Sequence, residues 1–130
     1  MPSTTRSESN PKWLAEPEPH DLTAAEHFLK LMLHKRHVAV ALKRLDKRRR
    51  KARSFAAKDI LRAAELLSLP AGNEGVALKL TQIRTGKPLA PMLVRPKSGP
   101  LIIADGYHRV SAAHLLDEST MIPSVLVSVP

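Results

Sequence analysis

An apolar run, Leu101-Ile102-Ile103-Ala104, stops at Asp105, and within two residues of Ala104 a helix starts that runs on through the Ala-rich Val110-Ser111-Ala112-Ala113. So short a passage is that of a strand running directly into a helix. The backbone N–H groups around Gly106 to His108 then point out of the helix N-terminus, a geometry that binds anions. Gly106 lets a ligand approach the backbone closely, and Asp105 has the chemistry of a helix cap. Placed at 100° per residue, Ala112, Leu115 and Leu116 define an apolar face, with His108 and Arg109 on or beside it in the first turn and Ser111, His114 and Asp117 opposite. An inward Arg in a first turn opposes the helix dipole and loses hydration, at a cost of about 1 kcal/mol or more unless an anion compensates. That anion is either Asp105 or a bound phosphate.

The rest of the chain supplies elements to surround this turn. Residues 1–20 hold Pro2, Pro11, Pro17 and Pro19 with few apolar side chains and read as a flexible arm, on which Trp13 and Leu14 are the anchoring side chains. A helical region occupies residues 21–53. Thr23-Ala24-Ala25-Glu26 fits a capping box, and apolar residues recur at Phe28, Leu31, Val38, Leu42 and Leu45, as in one amphipathic helix or a helical hairpin broken near His34 to His37. Residues 54–130 form the α/β domain. Ser54 caps a helix over 56–67, and a third helix runs from about Glu74 to Arg84, with Gly86 at its left-handed end and Pro88 and Pro91 forbidding continuation. Met92-Leu93-Val94 and Leu101-Ile102-Ile103 pair through the loop Pro96-Lys97-Ser98-Gly99-Pro100, a helix runs from Gly106 to about Leu116, and Ile122 to Val129 is the last strand. The expected fold is α+β: a small mixed sheet with a β-β-α-β core, preceded by several helices.

Charge is concentrated. The net charge is +9, and between Lys43 and Arg53 the cations Lys43, Arg44, Lys47, Arg48, Arg49, Arg50, Lys51 and Arg53 face the single acid Asp46, which leaves the rest of the chain nearly neutral. Such a run is either a solvated helix end favoured by the macrodipole or a non-specific surface for nucleic-acid phosphates. Only Trp13, Phe28, Phe55 and Tyr107 are aromatic, too few for the stacking platforms of single-strand readers. Without cysteine, disulfides, thiolate catalysis and Cys-ligated zinc are excluded, and His20, His27, His34, His37 and His114 lack metal-binding spacing, so no metal site is expected. The first residues lack the apolar core of a secretory signal, and no stretch approaches the roughly 18 apolar residues of a membrane span. A cytoplasmic protein with no membrane partner is expected.

Leu101 to Ala113 resembles the second sequence box of the ParB N-terminal domain family, in which an apolar strand leads into a Gly-x-x-Arg turn and an Ala-rich helix. The similarity extends upstream through Gly86-Lys87-Pro88-Leu89-Ala90-Pro91-Met92-Leu93-Val94 and downstream through Ile122-Pro123-Ser124-Val125-Leu126-Val127, covering roughly residues 80–129. It implies a ParB/sulfiredoxin-like fold. In ParB proteins this fold binds CTP, in sulfiredoxins ATP, and in ParB-like serine kinases it handles nucleotide and phosphate. The resemblance therefore implies CTP or ATP as cofactor, with Mg2+ entering only alongside the nucleotide, and Gly106, His108 and Arg109 as phosphate contacts. Asp105 and Tyr107 complete the candidate site.

Two departures from the family pattern narrow these implications. Sulfiredoxins carry their catalytic Cys immediately before the His-Arg pair; here Tyr107 stands there, so sulfinic acid repair is chemically excluded. The chain also lacks the helix-turn-helix and dimerisation segments with which partition ParB proteins hold centromere DNA. The expectation is a nucleotide- or phosphate-binding module that associates with nucleic acid or another acidic partner through its basic helix. The alternatives are a ParB-like nuclease, nucleotide hydrolase or phosphotransferase, and a ligand-free protein-interaction adaptor. Enzyme chemistry is the weaker expectation, since after the basic run only Asp59, Glu65, Glu74, Asp105, Asp117 and Glu118 offer carboxylates.

Overall fold

The computed structural model describes residues 19–85 and 90–130. In chain order the elements are α1 (Pro19–Met32), α2 (Lys35–Arg48), β1 (Arg53–Ala56), α3 (Ala57–Ala64), α4 (Glu74–Arg84), β2 (Met92–Arg95), β3 (Ile102–Asp105), α5 (Tyr107–Leu116) and β4 (Met121–Ser128). The strands form one mixed sheet in the order β1-β4-β2-β3. β2 and β3 are an antiparallel hairpin with an irregularity between Met92 and Leu93. The chain then crosses through α5 to place β4 parallel to β2, and β1 runs antiparallel along the other side of β4.

Period-two alternation divides the core between the two faces of the sheet. Met92, Val94, Ile102, Ala104, Val125, Val127 and Val129 pack with Ala25 and Leu29 of α1 and Val38, Ala41 and Leu45 of α2. Leu93, Ile103 and Ile122 point the other way, onto Ala57, Ile60 and Leu61 of α3, Val76 and Ile83 of α4, and Val110, Ala112 and Ala113 of α5. The helices of residues 21–53 therefore cover one face of the same sheet whose other face holds the remaining helices. Among the described residues, no helix is long and apolar enough to cross a membrane.

Several local expectations are corrected. The first helix begins at Pro19 rather than at the Thr23 capping box, because a proline is compatible with a first turn whose N–H groups have no helical partner. Residues 1–18, and with them Trp13 and Leu14, lie outside the described part, as does Gly86. Phe28 and Leu31 are exposed, at 41% and 84%, while Asp21, Ala25 and Leu29 form the inward i, i+4, i+8 row of α1. The helical hairpin does break where a break was expected: His34 caps α2, its Nδ1 accepting from the Arg36 N–H at 3.2 Å.

Ser54 is not a helix cap. It lies in β1, a strand added to the expected β-β-α-β core, and α3 starts after Ala56 without a side-chain cap. Its first N–H groups are met by backbone instead: Ala57 N–H donates to Thr120 O and Lys58 N–H to Glu118 O, both at 2.9 Å. α3 also stops at Ala64, short of Leu67, on Glu65 in the left-handed conformation. α5 departs from its expected face as well. Val110, Ser111, Ala112 and Ala113 are buried, whereas Leu115 and Leu116 are 43% and 40% exposed. Both α3 and α4 pack on α5, so its middle is enclosed on more than one side and only small side chains fit.

Candidate functional site

The turn between β3 and α5 has the predicted form, with a different internal logic. Gly106 is the residue before the helix, at φ 104 and ψ 17, and no side chain caps α5. Asp105 thus serves another purpose. Its Oδ2 accepts from Arg109 Nη2 at 2.8 Å, one helical turn away, and Asp21 of α1 brings Oδ1 to 3.7 Å from the same nitrogen. Arg109 Nη1 donates to Ala90 O at 3.3 Å. The side chains of Arg109 and Asp21 are 7% and 3% exposed, so this is a buried carboxylate–guanidinium–carboxylate cluster tying α1 and β3 to α5.

Gly106 is required by its neighbours. A Cβ there would lie 2.7 Å from Pro91 Cβ and 3.1 Å from Pro91 Cα, and φ 104 is unfavourable to any L side chain. Tyr107 is also structurally committed, its hydroxyl donating to Leu67 O. Together with the Leu69 N–H donating to Ser111 Oγ at 3.0 Å, this bond holds the α3–α4 connection against α5. At the helix start Tyr107 is half-buried and His108 is exposed.

α4 completes the surroundings. A Cβ on Gly75 would lie 2.5 Å from His108 Cδ2, so the imidazole rests directly on that glycine. Lys79 comes one turn later on the same side of α4. The Lys79 ammonium is pushed below the usual lysine value, first by burial and then by Arg109, with Asp105 and Asp21 acting in the opposite sense. Neither Lys79 nor Asp21 is identifiable as a site residue from the sequence. A first-turn acid and one lysine among many give no local signal, and only the packing of α1 and α4 brings them to the turn.

Two carboxylates share one guanidinium, and the Asp105 carboxyl is pushed above the usual range, mainly by burial. Arg109 and Lys79 act against this shift and Asp21 adds to it, so the 2.8 Å contact with Arg109 does not fully compensate the lost hydration. The folded state therefore keeps a proton on Asp105 through a pH window in which the unfolded chain has released it, and this group's contribution to stability falls as pH rises through that window. Denaturant unfolding across the acid-to-neutral range should show this slope in the parent protein and its loss in Asp105→Asn. An identical slope in both would contradict the assignment.

Chemically, the site offers a helix N-terminus without a side-chain cap, an imidazole and an ammonium beside a cluster in which two carboxylates share one guanidinium. That set fits a phosphate. Asp105 lies against Arg109, Asp21 lies against Arg109 and 3.3 Å from His20 Nε2, and among the described residues no three His, Asp or Glu side chains gather as a metal-binding group. The basic run lies elsewhere, on α2, the turn after it and the first residue of β1. No protein-family model, curated protein or solved structure matches this chain.

Proposed function

We propose that the chain is a nucleotide- or phosphate-binding module of ParB/sulfiredoxin-like type, with the phosphate seated on the first turn of α5. The observation that carries this reading is the strand-to-helix turn itself: a helix N-terminus without a side-chain cap, rigidly set by Gly106 against Pro91 and by Arg109 beneath it. The Tyr107 and His108 N–H groups donate to phosphate oxygens, aided by the positive end of the helix. His108 and Lys79 supply side-chain donors. Arg109 acts from below, offsetting part of the charge of Asp105 and Asp21, with Lys79 as the second cation beside them.

Lys79 supports this assignment energetically, because its charged form is disfavoured where it stands and an anion would relieve that cost. CTP or ATP fits the donor set equally well, and Mg2+ would enter on the phosphate oxygens, as it commonly does. A ligand-free interaction domain is the second reading, favoured by one observation: Arg109 already has carboxylate partners.

Thermal unfolding with CTP, ATP, GTP or inorganic phosphate separates the two. A nucleotide present at about a hundred times its Kd adds about 2.7 kcal/mol, which raises Tm by on the order of 10 °C in a domain of this size. Lys79→Ala should lose most of that rise while the ligand-free Tm stays the same or increases slightly. No shift with any of these ligands would overturn the nucleotide reading and select the interaction domain.

A further inference from the structure

A second charged surface lies outside the turn and goes beyond the nucleotide reading. Of the eight cations between Lys43 and Arg53, all but Arg49 are exposed, and Arg49 lies 3.7 Å from Asp46, the one acid of the run. α2 buries Val38, Ala41 and Leu45, which leaves its basic side to solvent. Arg36, Lys43 and Lys47, all exposed, fall within about 40° of one another around the helix and span about 16 Å along it. The macrodipole accounts for cations in the last turn only.

Other elements enlarge the surface. Arg44 Nη1 donates to the backbone O of Ser128, and Arg95 Nε, from β2, donates to the Ser128 hydroxyl at 3.1 Å. The final residue of β4 thus joins cations of α2 to a cation of β2. Arg53, opening β1, holds its guanidinium 5.4 Å from the centre of the Phe55 ring, which packs on the face of the sheet opposite α2, so it does not extend this surface. Like charges set along one side of a helix repel one another, and an anionic partner relieves that repulsion.

We propose that the basic surface of α2 and the turn after it binds the phosphate backbone of duplex nucleic acid without reading its sequence. A duplex carries about one charge per 1.7 Å of its axis, so a rigid row of this length meets several phosphates together. A single strand is the poorer partner, because no aromatic side chain lies between Lys43 and Arg53 for stacking. An anionic membrane is poorer still. No large apolar side chain is exposed between Lys43 and Arg53 to enter the lipid, as an interfacial helix requires.

The test is fluorescence anisotropy of the full chain with a labelled mixed-sequence duplex over a range of salt. Six contacted phosphates give a slope of log K against log salt of about −5. In the triple variant Lys43→Ala/Lys47→Ala/Lys51→Ala the slope should shrink by about 3 and affinity at low salt fall more than about tenfold. A control triple, Lys58→Ala/Arg62→Ala/Arg84→Ala, removes equal charge from exposed positions on α3 and α4 and should keep affinity within about twofold. Equal losses in both triples would reduce the effect to net charge and overturn the proposal. So would tighter binding to the matching single strand, or binding to anionic vesicles with none to duplex. None of these outcomes depends on whether the α5 turn holds a nucleotide.

Discussion

Arg109→Ala will lower the unfolding free energy by about 3 kcal/mol or more, because it leaves two carboxylates without the cation between them in a nearly dry site. Asp21 is 3% and Asp105 16% exposed at the side chain, and Ala90 O loses a donor in the same change. The effect reaches beyond one helix, since the cluster joins α1, β3 and α5. If uncompensated charge is the cause, Arg109→Ala combined with Asp105→Asn will be more stable than the two single losses predict, with a coupling of about 1 kcal/mol or more. Denaturant unfolding of the four proteins measures it. An Arg109→Ala protein as stable as the parent would mean that Arg109 is not buried between these acids, and additive losses would remove charge as the explanation.

Gly106→Ala is the second large effect, expected at about 2 kcal/mol or more. Two independent penalties combine: an L residue at φ 104, and a methyl 2.7 Å from Pro91 Cβ with the Pro91 backbone directly behind it. Neither can relax without moving β2 relative to the turn. Gly75 provides the internal comparison. Its added methyl would meet only the movable edge of the His108 ring, and alanine within a helix gains about 0.5–1 kcal/mol over glycine, so Gly75→Ala should not destabilise comparably. A loss below about 0.5 kcal/mol for Gly106→Ala would contradict the close packing of Pro91 on the turn.

Elements encoded by local pattern were legible in the sequence. The β2–β3 hairpin arises from two apolar runs around a Pro-Gly loop, and α4 runs from Glu74 to Arg84 as expected. α5 and β4 fall within a residue or two of expectation. β1 was not legible because Arg53-Ser54-Phe55-Ala56 has little strand character of its own and becomes a strand by pairing with Met121 to Ser124. The outward turn of Leu115 and Leu116 was hidden for a related reason: a helix wheel shows which residues share a side, but not how many sides the fold will cover. At the candidate site, the turn and its Arg-Asp alternative were visible at i, i+4 spacing. Asp21 lies 88 residues from Arg109 and 84 from Asp105, a distance no local pattern spans.

Whether a nucleotide phosphate sits on the first turn of α5, as proposed, is read most directly from backbone amide chemical shifts measured by NMR during titration with CTP or ATP. The amides of Gly106, Tyr107 and His108 should shift most and saturate together, with Lys79 moving in step, while the amides of α2 stay nearly still. Saturating nucleotide that leaves the Gly106 to His108 amides unmoved, or that moves only the basic residues of α2, would contradict the proposed seat.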